Sequence, residues 1–95
     1  MTTAKIEKER LGNFHFAHHE VLVEENDRKR RRWNLEKALT LGNGHHGKVG
    51  IVFETETGDA FEVDTTVWAL TDSHISLKGG VVIPIAAIKD VLLVA

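Results

Sequence analysis

Val81-Val-Ile-Pro-Ile-Ala-Ala-Ile-Lys-Asp-Val-Leu-Leu-Val94 decides the fold, because its apolar period changes from 2 to 3 and back again. Ile83 and Ile85 read as a strand, Ile88 follows at the spacing of a single helical turn, and Val91 and Leu93 resume the alternation. Such an ending suits a small closed β-structure. Pro84 has no N–H for a ladder, so it belongs on an edge or beside a corner.

Working back from this stretch, Gly79-Gly80 opens its first strand, Ile75 and Leu77 form a short strand, and Thr71-Asp72-Ser73 is a turn. Val49, Ile51 and Phe53 alternate against Gly50, Val52 and Glu54, and Thr57-Gly58-Asp59 turns the chain into Phe61, Val63 and Thr65. At Val67-Trp-Ala-Leu70 apolar residues occupy both faces. A long bent strand passing from one layer to another would produce that pattern, and so would a strand at an interface.

Upstream, Asn26 or Asp27 is a good N-cap, Arg28 to Leu41 tolerates helix throughout, and Gly42-Asn43-Gly44 is expected to end the helix in a left-handed cap. Leu35, Ala38, Leu39 and Gly42 share a face; the basic residues and Glu36 lie mainly outside it, with Trp33 at its margin. Residues 1–13 read as a mobile arm closed by Gly12-Asn13. Within 14–25, a strand is expected at Glu20–Glu25, where Val21 and Val23 are β-branched and Asn26-Asp27 stops the run. The division is an arm over 1–26 with one extra strand, then a single domain over 27–95, with a helix at about 27–42 and β-structure at about 48–95.

Ninety-five residues make one small domain with a modest core. Apolar residues make up 42% and charged residues 27%, which argues against wholesale disorder. There is no cysteine, so neither a disulfide framework nor a thiolate ligand or nucleophile is available. No apolar run approaches the ~18 residues of a membrane span, and the N-terminus has no signal-like core, which gives a cytoplasmic protein as the expectation. The net charge of −2 is unevenly spread: residues 1–48 carry ten Lys/Arg against seven Asp/Glu, and 49–95 two against seven. The basic half is expected to dock on the acidic one, in the same chain or a neighbour's.

The order helix, strand, turn, long bent strand, short strand, strand, helical turn, strand resembles the SH3-like small β-barrels. It resembles especially the Sm-like group and the C-terminal barrel of ribosome maturation factors. The residues that carry the resemblance are Gly47-Lys-Val-Gly-Ile-Val-Phe53, Trp68-Ala-Leu-Thr-Asp-Ser-His-Ile-Ser-Leu-Lys78 and Val82-Ile-Pro-Ile-Ala-Ala-Ile-Lys-Asp-Val91, about half the chain. Leu35-Glu-Lys-Ala-Leu-Thr-Leu-Gly-Asn43 with Trp68-Ala-Leu-Thr71 and Leu77-Lys-Gly-Gly-Val-Val-Ile-Pro-Ile85 also resembles a family of short bacterial proteins of no assigned function. The resemblance implies a mainly β fold, an SH3-like or Sm-like barrel preceded by one helix. Sm-like proteins form rings and bind RNA, but Lys78-Gly-Gly80 offers one cation and no aromatic, so no RNA-site residue is carried over.

The residues offer four candidate chemistries. Arg28, Lys29, Arg30, Arg31 and Arg32 form a run that could grip phosphates, or simply a solvated helix face. His15, His18, His19, His45 and His46 could converge with Glu20 on a metal, although an extended 14–25 would hold His15 and His19 about 13 Å apart. Asp72-Ser73-His74 is turn composition, and no catalytic residue is assigned. Trp68 is a core indole or an interface anchor. The resulting expectation is a non-enzymatic, self-associating binding module without a cofactor, with RNA binding through Arg28–Arg32 second and histidine-based metal binding third.

Overall fold

A computed structural model describes residues 3–45 and 47–93. Its elements are β1 (Ala4–Ile6), a 3-10 turn at Lys8–Asn13, α1 (Glu25–His45), β2 (Val49–Glu54), β3 (Ala60–Thr65), β4 (Val67–Leu70), β5 (His74–Leu77), β6 (Val82–Pro84), a 3-10 turn at Ile85–Ala87, and β7 (Ile88–Leu92). One sheet has the order β1-β3-β2-β7, the other β4-β5-β6. The result is a mixed α/β domain, one long helix on two sheets.

The transition between layers falls on one residue. Thr65 pairs with Val49 in the first sheet and Val67 with Leu77 in the second, while the Thr66 carbonyl accepts the Lys78 N–H at 3.0 Å. The long bent strand of the sequence is thus two strands with a hinge at Thr66. Ile83, Ile85, Ile88 and Val91 are all buried, each from a different point of the strand, turn, strand pattern. Pro84 ends edge strand β6, where its missing N–H leaves no ladder bond unmade. Gly79, with φ of 99°, takes the left-handed turn position that links β5 to β6.

Three expectations for the first half are corrected. Residues Ala4–Ile6 pair in parallel with Phe61–Val63, and Leu11 is only 1% exposed, so this arm is packed against the sheet. Glu20–Glu25 forms no strand: the Leu22 and Val23 carbonyls accept bonds from Arg28 Nη1 at 3.0 and 2.8 Å, and α1 already begins at Glu25. The chain is extended earlier, at Phe14–Ala17, where Phe16 bridges to Thr55. Phe14 and Phe16 stack edge-on to Phe53 at 5.8 and 5.2 Å between centroids.

The third correction concerns Gly42, which does not cap the helix. α1 continues to His45, and Gly42 lies where helix and β4 meet: a Cβ there would stand 2.1 Å from the Val67 carbonyl oxygen. The glycine is present because two backbones approach too closely for any side chain.

That geometry gives a substitution whose sign opposes helix propensity. Gly42→Ala gains about 1 kcal/mol of propensity but overpacks the contact by about 1–3 kcal/mol or more, so urea denaturation is expected to show a net loss. Gly44→Ala has nothing within 4 Å of its new Cβ and is expected to be neutral or mildly stabilising. Stabilisation by Gly42→Ala would contradict the close approach.

Candidate functional site

The basic run is placed by the helical period. Arg31, Leu35, Ala38 and Gly42 follow at i, i+4, i+7 and i+11, and all four are buried. Arg31 is 7% exposed. Its Nη1 donates to Glu20 Oε2 at 2.7 Å and to the Ile88 carbonyl at 2.9 Å, and its Nη2 donates to Glu20 Oε1 at 2.5 Å. The guanidinium therefore ties the N-terminal segment, the helix and the last strand together. Arg31 is not on a wet face, as the sequence suggested, and the spacing above is the signal that could have found it.

Its neighbours are also engaged within the chain. Arg28 holds the Leu22 and Val23 carbonyls, Arg32 donates to the Thr71 carbonyl at 2.8 Å, Arg30 meets Asp27 at 2.8 Å, and Lys29 meets Glu25 at 3.6 Å. The last two are exposed ion pairs of little energetic weight. Lys29 and Arg30 thus remain open to solvent, while Arg28, Arg31 and Arg32 serve the fold. Trp33 is 57% exposed, opposite the packed stripe and not at its margin, with Lys37 Nζ 4.3 Å above its ring centroid.

Trp68 is the more distinctive residue. Between Val67 and Ala69 the β4–β5 register shifts, and Trp68 is the additional residue, turned outward and 50% exposed. The bulge explains why apolar residues cluster on both sides of β4: Val67 is buried, and Trp68 is not. Trp68, Val81, Gly79, Gly12, Lys8, Glu9 and Lys78 line a cleft of about 600 Å³. Beside it, Ala69, Ser76 and Val82 are cross-strand neighbours in an outward row that carries no charge.

Other candidate chemistries are not brought together. Among the described residues no group of three or more His, Asp or Glu could hold a metal ion. His15, His18 and His19 are exposed, and His18 Nε2 lies 3.8 Å from Glu56. His46 and the side chain of His45 lie outside the described residues. Ser73 Oγ and His74 Nδ1 are 2.8 Å apart, but both residues are exposed on the turn where Thr71 Oγ1 accepts their N–H groups. The acidic strand β3 is met by Lys5, whose Nζ is 2.9 Å from Asp64, an instance of the basic half docking on the acidic half. Among the described residues no helix is long and apolar enough to cross a membrane.

Burial pushes the Glu20 carboxyl up, but the hydrogen bonds from Arg31 and the Leu22 N–H, with the charges of Arg31 and Arg28, outweigh it and hold the group below its ordinary 4.5. A carboxyl lowered on folding stabilises fully above its unfolded value and loses that contribution as pH falls through the lower folded value. Wild type is therefore expected to exceed Glu20→Gln in stability at neutral pH and to converge with it as pH drops below 4.5. Arg31→Ala is expected to cost about 2 kcal/mol or more, against at most about 0.5 for Arg30→Ala, in denaturant titrations. Equal costs would contradict the buried placement of Arg31.

The chain matches no family model, no curated protein and no solved structure. Function is therefore read from the residues themselves.

Proposed function

We propose that this is a non-enzymatic small-barrel binding module that associates with itself through Trp68. The barrel reading is supported by strand order. β7, β2 and β3 are neighbours in one sheet and β4, β5 and β6 in the other, the chain passing between them at Thr66 and at the Ile85–Ala87 turn; the two sheets are not closed on one another, and the strand order is the one an SH3-like barrel would have. α1 rests on it by β4 and β7, and β1 adds a parallel edge. Cytoplasmic self-association is part of the same proposal.

The observation that carries it is the half-exposed Trp68 in a cleft, continuous with the uncharged Ala69, Ser76 and Val82 row. Tryptophan on a surface bulge exposes a large apolar area that a partner would cover, and such residues dominate contact energies. Sedimentation at micromolar concentration is expected to show a dimer or larger. Trp68→Ala should weaken it by roughly 30-fold, the ratio for a hot spot of about 2 kcal/mol. A monomer at every concentration up to about 100 µM would overturn the reading.

Nucleic-acid binding by the helix is the second reading, favoured by the exposed Trp33 between Lys29, Arg30 and Lys37. Three phosphate contacts would give a log affinity against log salt slope of about −2 on single strands. No binding of single-stranded RNA at about 50 mM salt, where it is most favoured, would remove it.

A further inference from the structure

We infer that the Trp68 cleft receives the Val23-Glu24-Glu25 corner of a second copy, so that copies join corner to cleft. The inference rests on the self-association reading and names the contact. Val23 is 86% exposed, more than Trp33, Trp68 or Val82, and its neighbours Glu24 and Glu25 are exposed carboxylates. This corner is rigidly presented. Arg28 holds the carbonyls of Leu22 and Val23, the Glu20 carboxylate accepts the Leu22 N–H at 3.0 Å, and the Val21 N–H reaches the Ala86 carbonyl at 2.9 Å. An apolar side chain fixed outward by such bonds is pre-organised for a contact and loses little entropy on making it.

The cleft offers the complement. Trp68 and Val81 supply apolar surface, Gly12 and Gly79 leave room, and Lys8 and Lys78 reach it from separate elements, the first 3-10 turn and the β5–β6 turn. Glu9 also lines it, leaving an excess of one positive charge. Val23 would meet the indole, and Glu24 and Glu25 would meet the two ammonium groups. Glu25 would give up only its exposed 3.6 Å pair with Lys29. None of residues 20–25 lines the cleft of its own chain; Val21 is bonded to Ala86, which does not line the cleft either. Corner and cleft are different patches, so two reciprocal contacts close a two-fold dimer, and a single contact per pair builds a ring or an open chain.

Charge reversal tests this on the full chain. The double variants Glu24→Lys/Glu25→Lys and Lys8→Glu/Lys78→Glu should each associate roughly tenfold or more weakly than wild type by sedimentation at low salt, with unchanged circular dichroism. Mixed in equal amounts, the two should associate again, since each then meets a complementary partner at both contacts, and in a Trp33→Phe background the Trp68 emission should shift to the blue. If the wild type associates but the reversed variants associate equally well, the corner is not the occupant and the self-association reading stands. A mixture that stays monomeric although each variant is folded would also overturn the inference. A monomeric wild type would overturn both.

Discussion

The structure depends on one buried guanidinium. Arg31 reaches from α1 to Glu20 and to the Ile88 carbonyl, and so joins three segments that local sequence would leave independent. Taking a charge out of water costs several kcal/mol, and attraction offsets this only when the geometry is good. Here the planar fork places two N–H groups on one carboxylate and a third bond on a carbonyl, an arrangement that lysine's single ammonium could not reproduce. Among the described residues Nε has no partner, which is the residual cost. Because Glu20 also accepts the Leu22 N–H, the ion pair fixes the backbone of the segment leading into the helix.

The same stripe that buries Arg31 brings Gly42 against Val67, so the helix lies close along β4. Once α1 is seated in this way, its outward side is determined: Lys29, Trp33 and Lys37 face solvent, and Arg28 and Arg32 reach back to carbonyls. Arg28, Arg31 and Arg32 of the basic run are therefore bonded within the fold, and the proposed contact lies on the β4–β5–β6 sheet instead. There the bulge at Trp68 turns an indole outward, the surface on which the proposed contact rests.

From Val49 onward the elements were legible, because period-2 strands, turn residues and Pro84 each left local signals. The arm was not. Ala4–Ile6 is three residues whose pairing is parallel and long-range, and its composition is indistinguishable from a solvated tail. Val21 and Val23 have strand propensity, but their neighbouring carbonyls are claimed by Arg28, a tertiary bond that overrides it. Gly42-Asn-Gly44 carries a capping signal that the packing against Val67 overrules. Trp68 was visibly unusual in the sequence, whereas its exposure depends on a register shift that only the β4–β5 pairing reveals.

The central claim is that Arg28, Arg31 and Arg32 hold the fold together while the Trp68 surface makes the proposed contact. Amide hydrogen exchange followed as a function of protein concentration tests it most directly. The account predicts that exchange slows with concentration at residues 8–12, 22–25, 67–69 and 78–82, while the amides of 28–32 are already protected in the dilute protein and do not change. Concentration-dependent protection confined to 28–37, or none anywhere, would contradict it.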